Sequence, residues 1–403
     1  MSRKIKMTTP LVEIQGDEMT RILWDWIKEI LLEPYIDLNL ETYDLALKAR
    51  DDTADAVTVA AGRAILKHRV GVKCATITST PARVKEYALK GLLPSPNATI
   101  RGILDGTVFR TPVLVKGILP SVPAWTAPIT IARHAYGDVY NCVEATVAQG
   151  QSAYITVKDA AGNVVEEKLC KTFTRSGGVL RGMHNVTASI ESFARACFTY
   201  ALSAKTDLLF GAKDTISKTY DGHFQRVFED IFTKEYTTAF ADAGITYRYA
   251  LVDDAVAQVM KSNGGLIWAC KNYDGDVFSD MVATCYGSLA MMTSVLVSPE
   301  GNFEYEAAHG TVTRHYYKYL KGESTSTNPI ATLFAWTGAL AKRGELDGNA
   351  ALSAFAKKLE AAALAAIEGG EMTGDLIPLF RLSGVTPKKL DSRAFLQAIA
   401  ARL

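Results

Sequence analysis

Apolar positions recur along the chain with two periods, one suited to strands and one to helices. Residues 10–14 are apolar and extended, Gly16-Asp17 breaks the run, and residues 19–32 carry helical spacing around Trp24 and Trp26, which predicts a strand followed by a helix. A second such unit follows, with residues 54–68 reading as a helix and residues 70–77 as a buried strand that ends in Thr76-Ile77-Thr78. Alternation of this kind predicts an α/β fold with a largely parallel sheet. Residues 107–115 and 129–133 read as further strands, each with an arginine near one end.

The texture changes over residues 138–186, where the strand-like runs 153–157 and 164–169 flank Asp159-Ala160-Ala161-Gly162-Asn163, a turn signal that predicts an inserted hairpin arm. Helical spacing returns at residues 189–202, and amphipathic stretches follow at 222–240 and 254–260. The last third reads as a strand (293–297), a Gly-containing loop from His309, an apolar helix (329–341) and an Ala-rich helix (350–367) stopped by Gly369-Gly370. No internal repeat or low-complexity tract is present.

With 403 residues the chain exceeds what one hydrophobic core usually serves, so two or more subdomains are expected. Lys and Arg number 44 against 43 Asp and Glu, which removes the broad basic field that nonspecific nucleic-acid or membrane binding needs. An anion site has to be local. Arg3, Lys4 and Lys6 have no apolar stretch behind them, so neither a signal peptide nor a membrane span is expected. The six cysteines show no C-x-x-C pair and no metal-ligand spacing, as expected of reduced intracellular thiols.

Residues 95–135 hold Arg101, Arg110, Lys116 and Arg133 but a single acid, Asp105. A guanidinium pairs bidentately with a carboxylate, a contact of about 4 kcal/mol before desolvation at ~4 Å and an effective dielectric near 20. Converging arginines would suit a substrate with several carboxylates, and unrelated arginines at strand ends would look the same in sequence. Asp276 and Asp280 stand at i and i+4 behind the turn Asn272-Tyr273-Asp274-Gly275, and Asp253-Asp254 could add a third carboxylate. Oxygen-only ligands indicate Mg²⁺ or Mn²⁺, whereas acids near a helix N-terminus also answer its dipole. His309-Gly310-Thr311-Val312-Thr313-Arg314-His315 has the makings of a phosphate loop, although neither G-x-G-x-x-G nor a P-loop occurs anywhere in the chain. Tyr140 and Lys213 are proton carriers of interest beside these groups.

Taken together, these motifs resemble the homodimeric, eukaryotic-type NADP-dependent isocitrate dehydrogenases over nearly the full length. The resemblance is carried by Gln15-Gly16-Asp17-Glu18-Met19-Thr20-Arg21, Val72-Lys73-Cys74-Ala75-Thr76-Ile77-Thr78, Ser95-Pro96-Asn97, Gly106-Thr107-Val108-Phe109-Arg110 and Arg133-His134-Ala135-Tyr136-Gly137-Asp138. It continues in Tyr220-Asp221-Gly222, in Ala269 to Asp276, in the His309 to His315 heptad and in Thr325-Ser326-Thr327-Asn328-Pro329-Ile330. It implies oxidative decarboxylation of D-isocitrate to 2-oxoglutarate and CO2 with NADPH formed, through metal-stabilised oxalosuccinate and enolate, with NADP and Mg²⁺ or Mn²⁺ as cofactors.

By the same resemblance, Thr78, Ser95, Asn97, Arg101, Arg110 and Arg133 grip the substrate, while Asp276 and Asp280 hold the metal with Asp253 from the partner subunit. Lys213, also from the partner, relays the proton of the C2 hydroxyl, and Tyr140 protonates the enol carbon. Lys73, Thr76, Thr78, Arg83, Gly310, Thr311, Val312, Thr313, Arg314, His315 and Asn328 contact NADP, with Gln258 and Lys261 reaching across the dimer. The implied fold is the isocitrate/isopropylmalate dehydrogenase-like α/β fold, with large and small domains sharing a sheet and an inserted clasp. The large domain would span 1–104 and 287–403, the small domain 105–137 and 187–286, and the clasp 138–186, interlocking two chains into a homodimer with shared active sites.

Phe278 departs from the family's glutamine and is expected to point away from the chelating face, and Ser79-Thr80-Pro81-Ala82 lacks the acids common before Arg83. The terminal Ala401-Arg402-Leu403 resembles a peroxisomal import address, so a cytoplasmic or peroxisome-like location is expected. A dehydrogenase for isopropylmalate or homoisocitrate is the rival reading, against which Arg314 speaks. A noncatalytic nucleotide- or RNA-binding relative would be expected to lose some of Lys213, Tyr140, Asp253, Asp276 and Asp280, all of which are present.

Overall fold

A computed structural model describes residues 4–403, which divide into a body within Met1–Ala135 and Thr187–Leu403 and an arm, Tyr136–Val186. The body is built on one ten-stranded sheet. In chain order its strands are β1 (Leu11–Gln15), β2 (Leu40–Asp44), β3 (Val70–Lys73), β4 (Thr107–Pro112), β5 (Ile129–His134), β6 (Asp207–Ala212), β7 (Tyr247–Leu251), β8 (Leu266–Cys270), β9 (Met292–Val297) and β10 (Phe303–Ala307). Their spatial order is β7-β6-β8-β5-β4-β9-β10-β3-β1-β2. The sheet is parallel at both ends, as the strand–helix alternation predicts, but β5, β4, β9 and β10 run antiparallel to one another in the middle. The tight turn between β9 and β10 leaves no room for a crossover helix, so that pair closes as a hairpin.

The helices used below are α1 (Glu18–Ile27), α2 (Ala56–His68), α3 (Pro96–Leu104), α4 (Thr187–Ala204), α5 (Tyr220–Ile231), α6 (Val252–Lys261), α7 (Asn272–Cys285), α8 (Thr313–Leu320), α9 (Ile330–Leu346) and α10 (Ala350–Glu368). Strand alternation sends Leu11, Val70 and Val72 to one face, where they pack with Trp24, Trp336, Leu340 and Leu359 of α1, α9 and α10. Val12, Ile14, Val108 and Leu296 go to the other face and meet Ala61, Ile65, Ile100 and Leu104 of α2 and α3. Each such side chain contributes about 1.5–3 kcal/mol when fully buried. Glu13, the one charged residue of β1, is answered by Trp24 Nε1 at 2.7 Å and Lys28 Nζ at 2.8 Å.

Three sequence expectations need correction. The run 70–77 is a strand only to Lys73, because beyond it the chain leaves the ladder to bond the end of β1, with Asp17 N donating to Ala75 O and Ile77 N donating to Asp17 Oδ2. Gly16 permits this approach, since a Cβ there would lie 2.0 Å from Ala75 O. The run 107–115 ends as a strand at Pro112, whose missing N–H cannot extend a ladder. The loop from His309 stops at Val312, and Thr313 already begins α8.

The arm holds two antiparallel pairs, Ser152–Lys158 with Val164–Thr172 and, outside it in sequence, Cys142–Val147 with Gly178–Met183. Its apolar residues Val143, Tyr154, Val157, Val165 and Val179 are exposed. Six cysteines are free thiols, of which Cys74, Cys197 and Cys270 are buried and Cys170 is exposed on the arm. No helix among the described residues is long and apolar enough to cross a membrane.

Candidate active site

Register places chemistry in a row across one sheet face. Lys73 on β3 stands opposite Glu306 on β10, Glu306 opposite Ser294 on β9, and Ser294 opposite Arg110 on β4. Lys73 Nζ reaches Glu306 Oε2 at 3.2 Å, and Arg101, delivered by α3 onto the same face, reaches Glu306 Oε1 at 2.9 Å. Arg110 donates to Ser279 Oγ at 2.7 Å and lies 3.7 Å from Asp276 and 3.8 Å from Asp280. Arg133, at the end of β5, donates through Nε to Asn272 Oδ1 at 2.9 Å and through its terminal nitrogen to Asp276. The three arginines therefore converge on one buried face, which sequence spacing leaves open.

The acids come from α7, which follows β8. Its first turns press against β5 so closely that a Cβ on Gly275 would lie 2.7 Å from Arg133 Cβ. Asp276 and Asp280 face the arginines one turn apart, and burial holds the Asp280 carboxyl above its ordinary range despite Arg110. Phe278 leaves that face and stacks on Trp268 with ring centroids 4.4 Å apart, so its departure from glutamine serves the core.

Lys213 and Asp253 stand apart from this group. They follow β6 and β7 at their carboxyl ends, and Lys213 Nζ donates to Asp253 Oδ1, which holds that carboxyl below its usual range. Asp221 fixes the Lys213 backbone by accepting from its N–H at 2.8 Å and also takes Lys271 Nζ at 3.0 Å. Among the described residues of one chain, no three metal-binding side chains gather. Tyr140 lies in the arm, exposed on the short turn Asp138–Asn141. Gln258 and Lys261 lie on α6, where Gln258 Nε2 donates to Asp254 at 2.8 Å.

The heptad is organised by Glu18, at the start of α1. Glu18 Oε2 accepts from the hydroxyls of Thr311 and Thr313, and its Oε1 takes Arg83 at 2.9 Å. Arg83 also donates to Thr313 Oγ1 at 2.9 Å, which draws the segment after β3 onto the loop after β10. Gly310 and Arg314 are exposed, Val312 takes φ +57°, and His315 Nδ1 lies 2.7 Å from Thr327 Oγ1. Asn328 donates to Asp375 at 3.0 Å and accepts from Ile330 N at 3.0 Å. Ser95 caps α3, with Asn97 in its first turn. Thr78 is exposed in the segment beyond Ile77.

Six buried polar atoms without a hydrogen-bond partner lie at these places: Asn97 Oδ1, Arg101 Nε and Arg110 Nε on the arginine side, and Thr76 Oγ1, Ser79 Oγ and His309 Nε2 on the heptad side. A desolvated, unpaired polar atom costs about 1–3 kcal/mol, which a polyanion and a phosphorylated nucleotide bound here would offset. The paired carboxylates of α7 offer oxygen donors only, the chemistry of a hard divalent ion. Sequence reasoning did not assign Glu18, Glu306, Asn272, Ser279 or Asp221, the groups that hold the assigned ones in place, nor the buried Glu304. Glu18, Asp221 and Asn272 lay within the matched motifs, which were the available signal.

The family model described as isocitrate/isopropylmalate dehydrogenase matches residues 6–389. The NADP isocitrate dehydrogenase 1 of Mycobacterium tuberculosis is 50% identical over 403 residues, covering 99% of this chain and 97% of the relative. The mitochondrial NADP isocitrate dehydrogenase of Sus scrofa is 51% identical over 375 residues, 93% of this chain and 89% of the relative. The chloroplastic one of Medicago sativa is 47% identical over 404 residues, 100% and 93% of the two chains.

Proposed function

The chain belongs to the isocitrate/isopropylmalate dehydrogenase family, and from that premise we propose the reaction and the part each residue plays. It is an NADP-dependent oxidoreductase that converts D-isocitrate to 2-oxoglutarate and CO2 and forms NADPH. The observation that carries the residue assignment is the convergence of Arg101, Arg110 and Arg133 on one buried face beside Asp276 and Asp280.

Arg101, Arg110 and Arg133 bind the substrate carboxylates, with Thr78, Ser95 and Asn97 supplying hydroxyl and amide contacts. Exchange of Asp276 for a substrate carboxylate on Arg110 and Arg133 frees the aspartate for a cation. Asp276 and Asp280, with Asp253 of the partner subunit, would hold Mg²⁺ or Mn²⁺. Once bound, that ion supplies Lewis-acid stabilisation of negative charge on the substrate's oxygens. Lys213 of the partner subunit takes the C2 hydroxyl proton at Nζ, and Tyr140 returns a proton from its phenol to carbon after CO2 leaves. Lys73, Thr76, Arg83, Gly310, Thr311, Val312, Thr313 and Asn328 line the nucleotide, with Gln258 of the partner subunit. Arg314 and His315 with Lys261 of the partner subunit answer the 2′-phosphate that separates NADP from NAD.

A homodimer supports this division of labour. Lys213 and Asp253 are displayed outward, and α6 and α7 expose Met260, Tyr273 and Val277. The arm's exposed Val143, Tyr154 and Val179 likewise fit pairing with a second arm, so 138–186 serves as the clasp that interlocks with its counterpart, and the rest of each chain forms a large (1–104, 287–403) and a small (105–137, 187–286) domain. Import through Ala401-Arg402-Leu403 into a peroxisome-like organelle, beside a cytoplasmic pool, is a separate proposal, and unchanged localisation after a bulky C-terminal fusion would dismiss it. The deciding assay follows reduced-nicotinamide absorbance with isocitrate, NADP⁺ against NAD⁺, with and without chelator. Signal is expected only with NADP⁺ and metal, and its absence there overturns the reading.

A further inference from the structure

β10 carries two carboxyl groups on one face, Glu304 and Glu306, two residues apart and both buried. Glu306 is fully engaged, with one oxygen on Arg101 and the other on Lys73. Glu304 is 2% exposed, and its Oε1 has no hydrogen-bond partner. Its neighbours in register are Gly71 on β3 and Leu296 on β9, and Ile65 of α2 closes over Gly71. The charged or titratable groups that face it are Lys73 from β3, Arg101 from α3 and Glu306 from its own strand, and both cations already belong to Glu306. An ionised carboxylate without a partner in such surroundings is far costlier than a neutral one.

We propose that Glu304 is a positioning residue for the substrate: as the neutral member of a carboxyl pair with Glu306, it leaves Arg101 and Lys73 a net positive charge toward a polyanion, and its ionisation weakens substrate binding. This inference rests on the isocitrate reading above. With Glu304 neutral, the group Lys73, Arg101, Glu306 carries one net positive charge, and loss of the proton cancels it. Burial, with the Glu306 charge second, pushes the Glu304 carboxyl up to about 8, whereas Lys73 and Arg101 outweigh burial at Glu306 and hold it low. The sign follows directly. Below that range substrate affinity is at its full value, and it falls as pH rises through it.

The test is calorimetric titration of isocitrate, with Mg²⁺ and without NADP⁺, into the full-length protein and into Glu304→Gln from pH 6.5 to about 9.5. Glutamine copies the shape of the neutral acid. The native dissociation constant should rise on the order of tenfold across that window, the effect of one charge at roughly 12 Å and an effective dielectric near 20. The Glu304→Gln constant should match the native one at the acid end and stay flat. Parallel slopes in the two proteins overturn the inference, whereas failure of both to bind isocitrate overturns the isocitrate reading. Infrared difference spectra of the native protein give a check that needs no variant binding: a protonated-carboxyl band should fade through the same range and be missing from Glu304→Gln, and a native protein without that band at pH 7 sinks the idea.

Discussion

Arg133 and Lys213 are each a cation bonded to an aspartate, yet the Arg133 side chain is 2% exposed and that of Lys213 is 37% exposed with its aspartate at 66%. Arg133 is locked by β5, Asn272 and the close approach of Gly275, so its direction is set before any ligand arrives. Lys213 has its backbone pinned by Asp221 while its amine remains half in solvent, where such a pair adds little stability. The contrast separates two tasks. The arginines proposed to bind substrate carboxylates are built into the sheet, and the lysine proposed to move a proton is presented at the surface, where the proposed second chain would meet it.

The sharpest break in that comparison is Arg133→His. Isocitrate affinity should fall about 10²–10⁴-fold, in line with roughly 3–5 kcal/mol for breaking a buried pair, while NADP⁺ affinity changes less than about twofold. Direct titration of each ligand checks this, and equal losses contradict the assigned role. Next comes a mixed dimer of Lys213→Ala and Arg133→His chains. If Lys213 serves the neighbouring site, the mixture regains one intact site per dimer and up to half the native rate, whereas both parents are nearly dead. Assay of the purified mixed species decides it, and no recovery places Lys213 in its own chain's site. The smallest effect is expected for Phe278→Gln. Loss of the Trp268 stack should lower stability by about 1 kcal/mol, roughly 2–4 °C in Tm by calorimetry, with little change in metal affinity. A large metal defect would tie Phe278 to the acids after all.

Most helices were legible because their apolar spacing is regular, as in 350–367 and 189–202, which the structure extends by only one or two residues at most ends. The error at 70–77 has a clear cause. Cys74, Ala75 and Ile77 are as buried as a strand would be, so the pattern reports burial and not the ladder that Asp17 breaks. The assigned arginines and acids could be read from charge, spacing and family motifs, yet Glu304 and Glu306 could not. Alternation in Phe303-Glu304-Tyr305-Glu306 fits a strand with its acids facing water, and only the neighbouring strands show that those acids face inward.

The thiols carry a practical consequence. Burial raises the Cys197 and Cys270 thiols well above their ordinary range and Cys74 to about 12, so alkylating or oxidising reagents find almost no thiolate inside the body. Cys170 has no such shelter. A maleimide dye would therefore settle first on the arm, at Cys170, and leave the three buried thiols of the body untouched.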